Sequence, residues 1–197
     1  RLSLVGSEMC IRDRPYADPD KRALAPNFVH SLGLPMFALA GVTDSKAVDM
    51  QAGIEAALTL LTDALCGAHI IHDMGYLESG LCGSLVQLTV CDEILNWIDH
   101  FTRPIEVNEE TLALDLIDQA GPGGQFLDSE HTLKHYRERW YPKLFDRNNY
   151  GRWLEKGGKT LQERAAERVE TILKSHTPEP LPEEVRRAVR GVVERSR

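Results

Sequence analysis

Apolar residues gather in two short runs that both stop abruptly at polar residues. Met36 to Gly41 reads as a buried strand after Pro35, and residues 68–72, with Ala68, Ile70 and Ile71, read as a second. Each run leads into a loop and then a helical pattern. After Val42-Thr43-Asp44-Ser45-Lys46, where Thr43, Asp44 or Ser45 could cap a helix, Ile54, Leu58, Leu61 and Leu65 recur at spacings of 4, 3 and 4. Gly67 is placed to end that helix in the left-handed conformation. After the loop holding Gly75, Gly80 and Gly83, a second helix is predicted from about Ser84 to His100, with Leu88, Cys91, Leu95 and Ile98 inward. Two successive strand–loop–helix units predict a parallel α/β sheet with right-handed crossovers.

Past Pro104 the pattern is helical only, apart from a short helix expected near 27–32 ahead of the first strand. Residues 108–120 predict one helix, capped by Asn108, with Leu112, Leu116 and Ile117 inward. The turn Gly121-Pro122-Gly123-Gly124 leads to a helix capped by Asp128 or Ser129, which carries His131 and His135 four apart. Thr160 and Glu163 form a capping box ahead of a helix lined by Leu161, Ala165, Val169, Ile172 and Leu173. A proline-rich connector at 176–182 precedes a last helix to about Glu194.

Composition changes this picture little. With 42% hydrophobic and 27% charged residues in 197, the chain reads as globular. A net charge of -7 argues against nucleic acid or an anionic membrane as partner and suits a cationic ligand. No apolar run nears the roughly 18–20 residues needed to span a bilayer. Four cysteines without CxxC spacing read as reduced thiols in a cytoplasmic protein. The first fourteen residues lack periodicity and an initiating Met, and they resemble a translated sequencing-adapter remnant, so coding sequence is expected to start near Pro15 or Tyr16.

Candidate chemistry concentrates where the two strands end. In a parallel sheet both ends open on one face, the side where ligands bind in such folds. Asp44, Lys46, His72, Asp73 and Glu78 are the candidate catalytic residues, and Thr43, Gln51, Gly75 and Tyr76 the candidate substrate-binding ones. The bland alternative is that Asp44 and Ser45 only cap a helix while His72 and Asp73 only tie down a loop. No metal site is expected. His69 and His72 lie three apart and face opposite sides of a strand. His131 and His135 lack the glutamate of an H-E-x-x-H motif and read as packing or surface residues. The Gly121–Gly124 turn lacks nucleotide-binding spacing and reads as a turn or part of a lid. Trp140, Tyr141, Tyr150 and Trp153 read as packing between helices, with an aromatic lining for a quaternary ammonium ion as the alternative.

Several segments together resemble the trimethylamine methyltransferase family, the corrinoid-dependent methyltransferases for trimethylamine and glycine betaine. They are A-G-V-T-D-S-K at 40–46, Q-A-G-I-E-A-A-L at 51–58, H-D-M-G-Y-L-E-S-G-L-C-G-S-L at 72–85 and C-D-E-I at 91–94. E-V-N-E-E-T-L-A-L-D-L-I at 106–117, G-P-G-G-Q-F-L at 121–127, E-H-T-L at 130–133 and D-R-N-N-Y at 146–150 complete the set.

The resemblance implies an α/β fold, the C-terminal portion of a (β/α)8 TIM barrel with extra C-terminal helices. Residues 15–103 would hold the last βα units, and 104–197 a helical region completing the same domain after the leader at 1–14. It implies methyl transfer from a methylated amine to the Co(I) of a corrinoid (cobalamin) carried by a partner protein, with none bound directly by this chain. A homo-oligomer is expected. A portion of a barrel alone is expected to be inactive. The chain shows no pyrrolysine, which points to the branch with betaine-like substrates. Two rival readings stand beside it: a paralogue that binds methylamines or a partner without turnover, and a barrel hydrolase using His72 and Asp73.

Overall fold

A computed structural model describes residues 28–195. The leader at 1–14 and the proposed start near Pro15 lie outside these residues, as does the first residue of the helix expected at 27–32, whose remainder is a helical turn at 28–31. Strand β1 (Phe37–Leu39) pairs in parallel with β2 (Ile70–His72), in the register Phe37↔Ile70 to Leu39↔His72. Between them runs helix α1 (Met50–Leu65), and after them α2 (Leu85–Thr102). The chain is therefore α/β, with the two expected strand–loop–helix units in the expected parallel order; the described strands form no closed sheet.

Between β2 and α2 lies an element that the glycine-rich sequence did not predict. A short antiparallel hairpin pairs β3 (Tyr76–Leu77) with β4 (Cys82–Gly83) around a 3-10 turn at Glu78–Gly80. Gly75 at its base is buried at φ +87 and packs against Leu88.

Helix α1 starts later than expected. Asp49, rather than Thr43, Asp44 or Ser45, caps it by accepting the Ala52 N–H at 3.0 Å. The earlier three residues are consumed by the loop described below. Gly67 does end the helix at φ +76. The buried side of α1 is Ala52, Ala56, Thr59, Leu60 and Asp63. The expected inward stripe is instead largely exposed: Ile54, Leu58 and Leu65 are 57–61% accessible, and only Leu61 packs on the core. At 100° per residue the two sets lie on opposite sides of the helix. Where α1 packs closely on its neighbours, Ala52, Ala56 and Thr59 are small, which leaves Leu60 as the single large apolar residue of that side and no apolar stripe to read.

Helix α2 follows its prediction more closely: Cys91 and Ile98 are buried and Leu95 packs on the core, while Leu88 is half-exposed and Val90 and Ile94 take its place. Downstream, α3 (Glu109–Leu112) and α4 (Leu114–Ala120) replace the single helix expected at 108–120. Ala113 is left-handed (φ 47°, ψ 39°) and breaks it, and neither helix buries a residue. Asn108 caps α3 as expected. Helices α5 (Glu130–His135, capped by Ser129), α6 (Tyr150–Glu155), α7 (Leu161–Ser175, with the Thr160–Glu163 capping box) and α8 (Glu183–Arg195) complete the chain.

The core lies where α1 meets α2 and α2 meets α7. It comprises Ala40, Ala56, Leu60, Val90, Cys91, Ile94, Ile98, Leu144 and Ala165. Glu93 of α2 is buried, yet its carboxylate is satisfied by the N–H groups of Leu144 and Phe145, and Arg164 of α7 donates to the Leu144 carbonyl at 2.9 Å. Together they clamp 144–145 between the two helices. No helix among the described residues is long and apolar enough to cross a membrane.

Candidate active site

Parallel pairing puts the loops after β1 and β2 at the same edge, and hydrogen bonds lace them together. Gly75 N–H reaches the Gly41 carbonyl (3.2 Å), Thr43 N–H reaches Tyr76 (3.0 Å), Glu78 N–H reaches Ser45 (2.9 Å), and Ser79 N–H reaches Thr43 (3.1 Å). The Ser79 hydroxyl also donates to the Asp44 carboxylate in a short hydrogen bond. Glu78 and Ser79 hold left-handed backbone at φ 50° and 53°, uncommon for residues with a Cβ and a mark of functional or switching sites when the surroundings enforce it.

Glu55, one turn into α1, closes this loop from below. One carboxylate oxygen accepts the Thr43 hydroxyl at 2.5 Å and the Asp44 N–H at 2.8 Å, and the other accepts the Gln51 amide at 2.9 Å. The Thr43 hydroxyl in turn accepts the Ser45 N–H (2.9 Å), and Ser45 donates to Asp49 (2.9 Å). Bonding to the Ala52 N–H first, and to the Ser45 hydroxyl second, holds the Asp49 carboxyl below its usual range.

The predicted site residues therefore fall into distinct groups. Asp44, Tyr76 and Glu78 all lie on the laced loops, with Tyr76 and Glu78 exposed and Asp44 half-buried. Thr43 is fully buried and Gly75 has no side chain, so both hold the loops in place. Lys46 is exposed, its ammonium on the Asp44 carbonyl at 2.9 Å, and Gln51 is tied to Glu55. His72 and Asp73 pair with each other, Nδ1 to Oδ1 at 2.8 Å, and the His72 ring lies 4.0 Å from that of Phe37. Such a bond engages the Nδ1 side of the ring and holds its orientation. Asp73 itself is left-handed at φ 71°.

Sequence reasoning missed Glu55 and Ser79. Their signal was faint: Glu55 sits mid-helix like any surface glutamate, and Ser79 reads as a loop residue. Cys91 lies beneath the loops, its thiol donating to the Gly41 carbonyl at 3.3 Å, and burial pushes it up to about 11. It is a packing thiol rather than a nucleophile. Trp140 stacks on Trp97 at 5.9 Å and Tyr150 meets Trp153 at 5.6 Å, while Tyr141 is exposed, so these aromatics form no common cage among the described residues.

Chemically, the laced loops offer carboxylates and a tyrosine to a cation, on a scaffold cross-bonded at five points. Residues 22–197 match the family described as trimethylamine methyltransferase (MTTB). The chain belongs to the trimethylamine methyltransferase family. Among similar curated proteins, the trimethylamine methyltransferase MttB of Desulfitobacterium hafniense is 38% identical over 161 residues, 82% of this chain and 32% of that protein. MttB of Methanosarcina barkeri is 34% identical over 164 residues, 83% of this chain and 33% of its own length. A glycine betaine methyltransferase of Desulfitobacterium hafniense is 35% identical over 155 residues, 78% of this chain and 32% of its own. The chain thus spans about a third of the length of these trimethylamine methyltransferase family relatives.

Proposed function

We propose that this chain is part of a methyltransferase that moves a methyl group from a tertiary or quaternary methylamine, of the trimethylamine or glycine betaine kind, to the Co(I) of a corrinoid protein. The observation that carries the reading is family membership, with relatives named for both amines at 34–38% identity over most of this chain. The whole enzyme is a (β/α)8 barrel, cytoplasmic and homo-oligomeric, to which this chain contributes βα units and C-terminal helices. The parallel β1–β2 pair with its intervening helix is compatible with that architecture.

In this reaction the carbon–nitrogen bond of a quaternary ammonium, or of trimethylamine in its protonated form, breaks with its electron pair staying on nitrogen, so a neutral amine leaves. The methyl carbon takes its new pair from Co(I), which becomes methyl-Co(III). The corrinoid is the second substrate and arrives on its partner protein. The part of this chain's residues is to hold a cationic ammonium centre: the carboxylates of Asp44 and Glu78 by charge, and the Tyr76 ring by its π face. Rigid placement matters more than acid–base chemistry, because no proton must move to break the bond of a quaternary amine. The lacing by Glu55 and Ser79 supplies that rigidity.

The test is to supply trimethylamine and glycine betaine in turn to the full-length enzyme with Co(I) corrinoid protein, following visible absorption. Conversion to methyl-Co(III) with one amine is expected and names the substrate. A folded enzyme inert to both, while its corrinoid partner accepts methyl groups from another donor, would overturn the reading.

A further inference from the structure

Away from the laced loops, Glu110 of α3 meets His131 and His135 of α5. The two histidines are a helical turn apart, with ring centroids 4.4 Å from each other. One ligand atom from each of the three residues lies within 4.8 Å of the others. His131 Nε2 lies 2.8 Å from the Glu110 carbonyl, and His135 Nε2 lies 3.1 Å from the Glu110 carboxylate, so the same nitrogen of both rings is turned towards Glu110. The other nitrogen of His135, Nδ1, bonds the Glu138 carboxylate at 2.8 Å.

We propose that Glu110, His131 and His135 form a zinc site that staples α3 to α5 across the glycine-rich turn between them. Two imidazoles and one carboxylate suit a late first-row divalent ion far better than calcium or magnesium, and they leave a fourth position for water. Glu138 stands as the outer carboxylate: by accepting Nδ1–H it directs the lone pair of neutral His135 to Nε2, the arrangement that supports metal-bound histidines. Without metal, Lys134 occupies the site as a substitute cation, its ammonium 2.6 Å from the Glu110 carboxylate. Its side chain is 62% exposed and free to swing into solvent. Zinc binding therefore expels the Lys134 ammonium from Glu110 and breaks the hydrogen bond that His131 Nε2 donates to the Glu110 carbonyl, its proton passing to Nδ1 or to solvent, and it releases any proton that His135 Nε2 holds. Neither α3 nor α5 buries a residue, so a metal cross-link supplies an anchor that packing does not.

The site was hidden in the sequence because Glu110 lies 21 residues before His131, outside any local motif. It stands apart from the laced loops, and the proposal does not depend on the methyl-transfer reading.

The experiment is titration of the 197-residue chain with zinc chloride, followed calorimetrically, with cobalt(II) as a visible-absorbing replacement. One zinc per chain is expected at this site, with a tetrahedral cobalt spectrum. The double variant H131A/H135A should lose that zinc. Glu138→Ala should weaken binding about 10- to 100-fold. Lys134→Ala should tighten binding, because its competing ammonium is gone, a gain that adventitious histidine binding would not show. In the unmodified chain, zinc should protect His131 and His135 from diethylpyrocarbonate, read peptide by peptide by mass spectrometry, which serves even where a variant fails to fold. Unaltered zinc binding by H131A/H135A, or equal modification of both histidines with and without zinc, would overturn the proposal.

Discussion

The Glu93 carboxylate of α2 accepts the backbone N–H of Leu144 at 2.9 Å from 51 residues away, and the same oxygen accepts Phe145 N–H at 3.1 Å. This is how a polar side chain remains satisfied in the core. Replacing Glu93 by Ala strands two N–H groups next to a cavity, which should cost about 2–4 kcal/mol. Denaturant unfolding of the Glu93→Ala chain should show a lower midpoint, and Glu93→Gln, which keeps an acceptor oxygen, should lose less.

At Gly75, φ is +87, and an added Cβ would sit 2.8 Å from the Leu88 Cβ and 3.1 Å from its Cα. Both the backbone region and the contact oppose a side chain, and the obstacle includes main chain that cannot rotate away. Gly75→Ala should destabilise by about 1–3 kcal/mol. Gly53→Ala on α1, where nothing lies within 4 Å, should be neutral or stabilising in the same measurement.

Cys91 is buried with its thiol pushed up to about 11, while Cys82 is exposed. At pH 8 iodoacetamide should label the Cys82 peptide of the folded chain and leave the Cys91 peptide unmodified. Labelling at Cys91 should appear only on unfolding, which makes it a probe of global opening.

Asp49 holds its proton less tightly when folded than the ordinary 3.8, chiefly because its carboxylate accepts the Ala52 N–H. A depressed carboxyl contributes stability that is complete above about pH 4 and fades as pH falls through the lower folded value. Asp49→Asn keeps a capping oxygen without the charge. Its stability deficit relative to the original chain should shrink between pH 4 and pH 2.5 in urea titrations.

In the full-length enzyme, Ser79→Ala removes the hydroxyl that steadies the Asp44 carboxylate. Turnover efficiency should fall by about tenfold, equivalent to about 1.4 kcal/mol of lost positioning. Glu55→Gln should act in the same direction through the Thr43 hydroxyl, which it holds at 2.5 Å.

Much of the fold was readable because its signals are local. Apolar runs ending at Gly41 and His72 marked the strands, Gly67 marked a helix end, and the Thr160–Glu163 box marked a helix start. What stayed hidden depended on long-range pairing. The 76–83 hairpin has strands of two residues, too short for any periodicity. The break at Ala113 is a single left-handed residue inside a good helical pattern. The start of α1 moved to Asp49 because Thr43, Asp44 and Ser45 are bonded to residues 76–79 and to Glu55, partners that no window around residue 44 contains. The candidate site shows the same division: Asp44, Tyr76 and Glu78 were legible from strand-end logic, whereas Glu55 and Ser79 required the pairing itself.

Helix α1 buries a side built mostly of small residues, Ala52, Ala56 and Thr59 beside Leu60, and exposes large apolar residues on the other. Its two sides should therefore obey different mutational rules. At Ala52, Ala56 and Thr59 volume is the limit, and even one added methylene is expected to be rejected. At Ile54, Leu58 and Leu65 the side chains stand at 57–61% exposure, so exchange among Leu, Ile and Met should pass unnoticed in the folding of this chain. A saturation library over 50–65 scored for folding would read as two interleaved alphabets along one helix, strict on one side and permissive on the other.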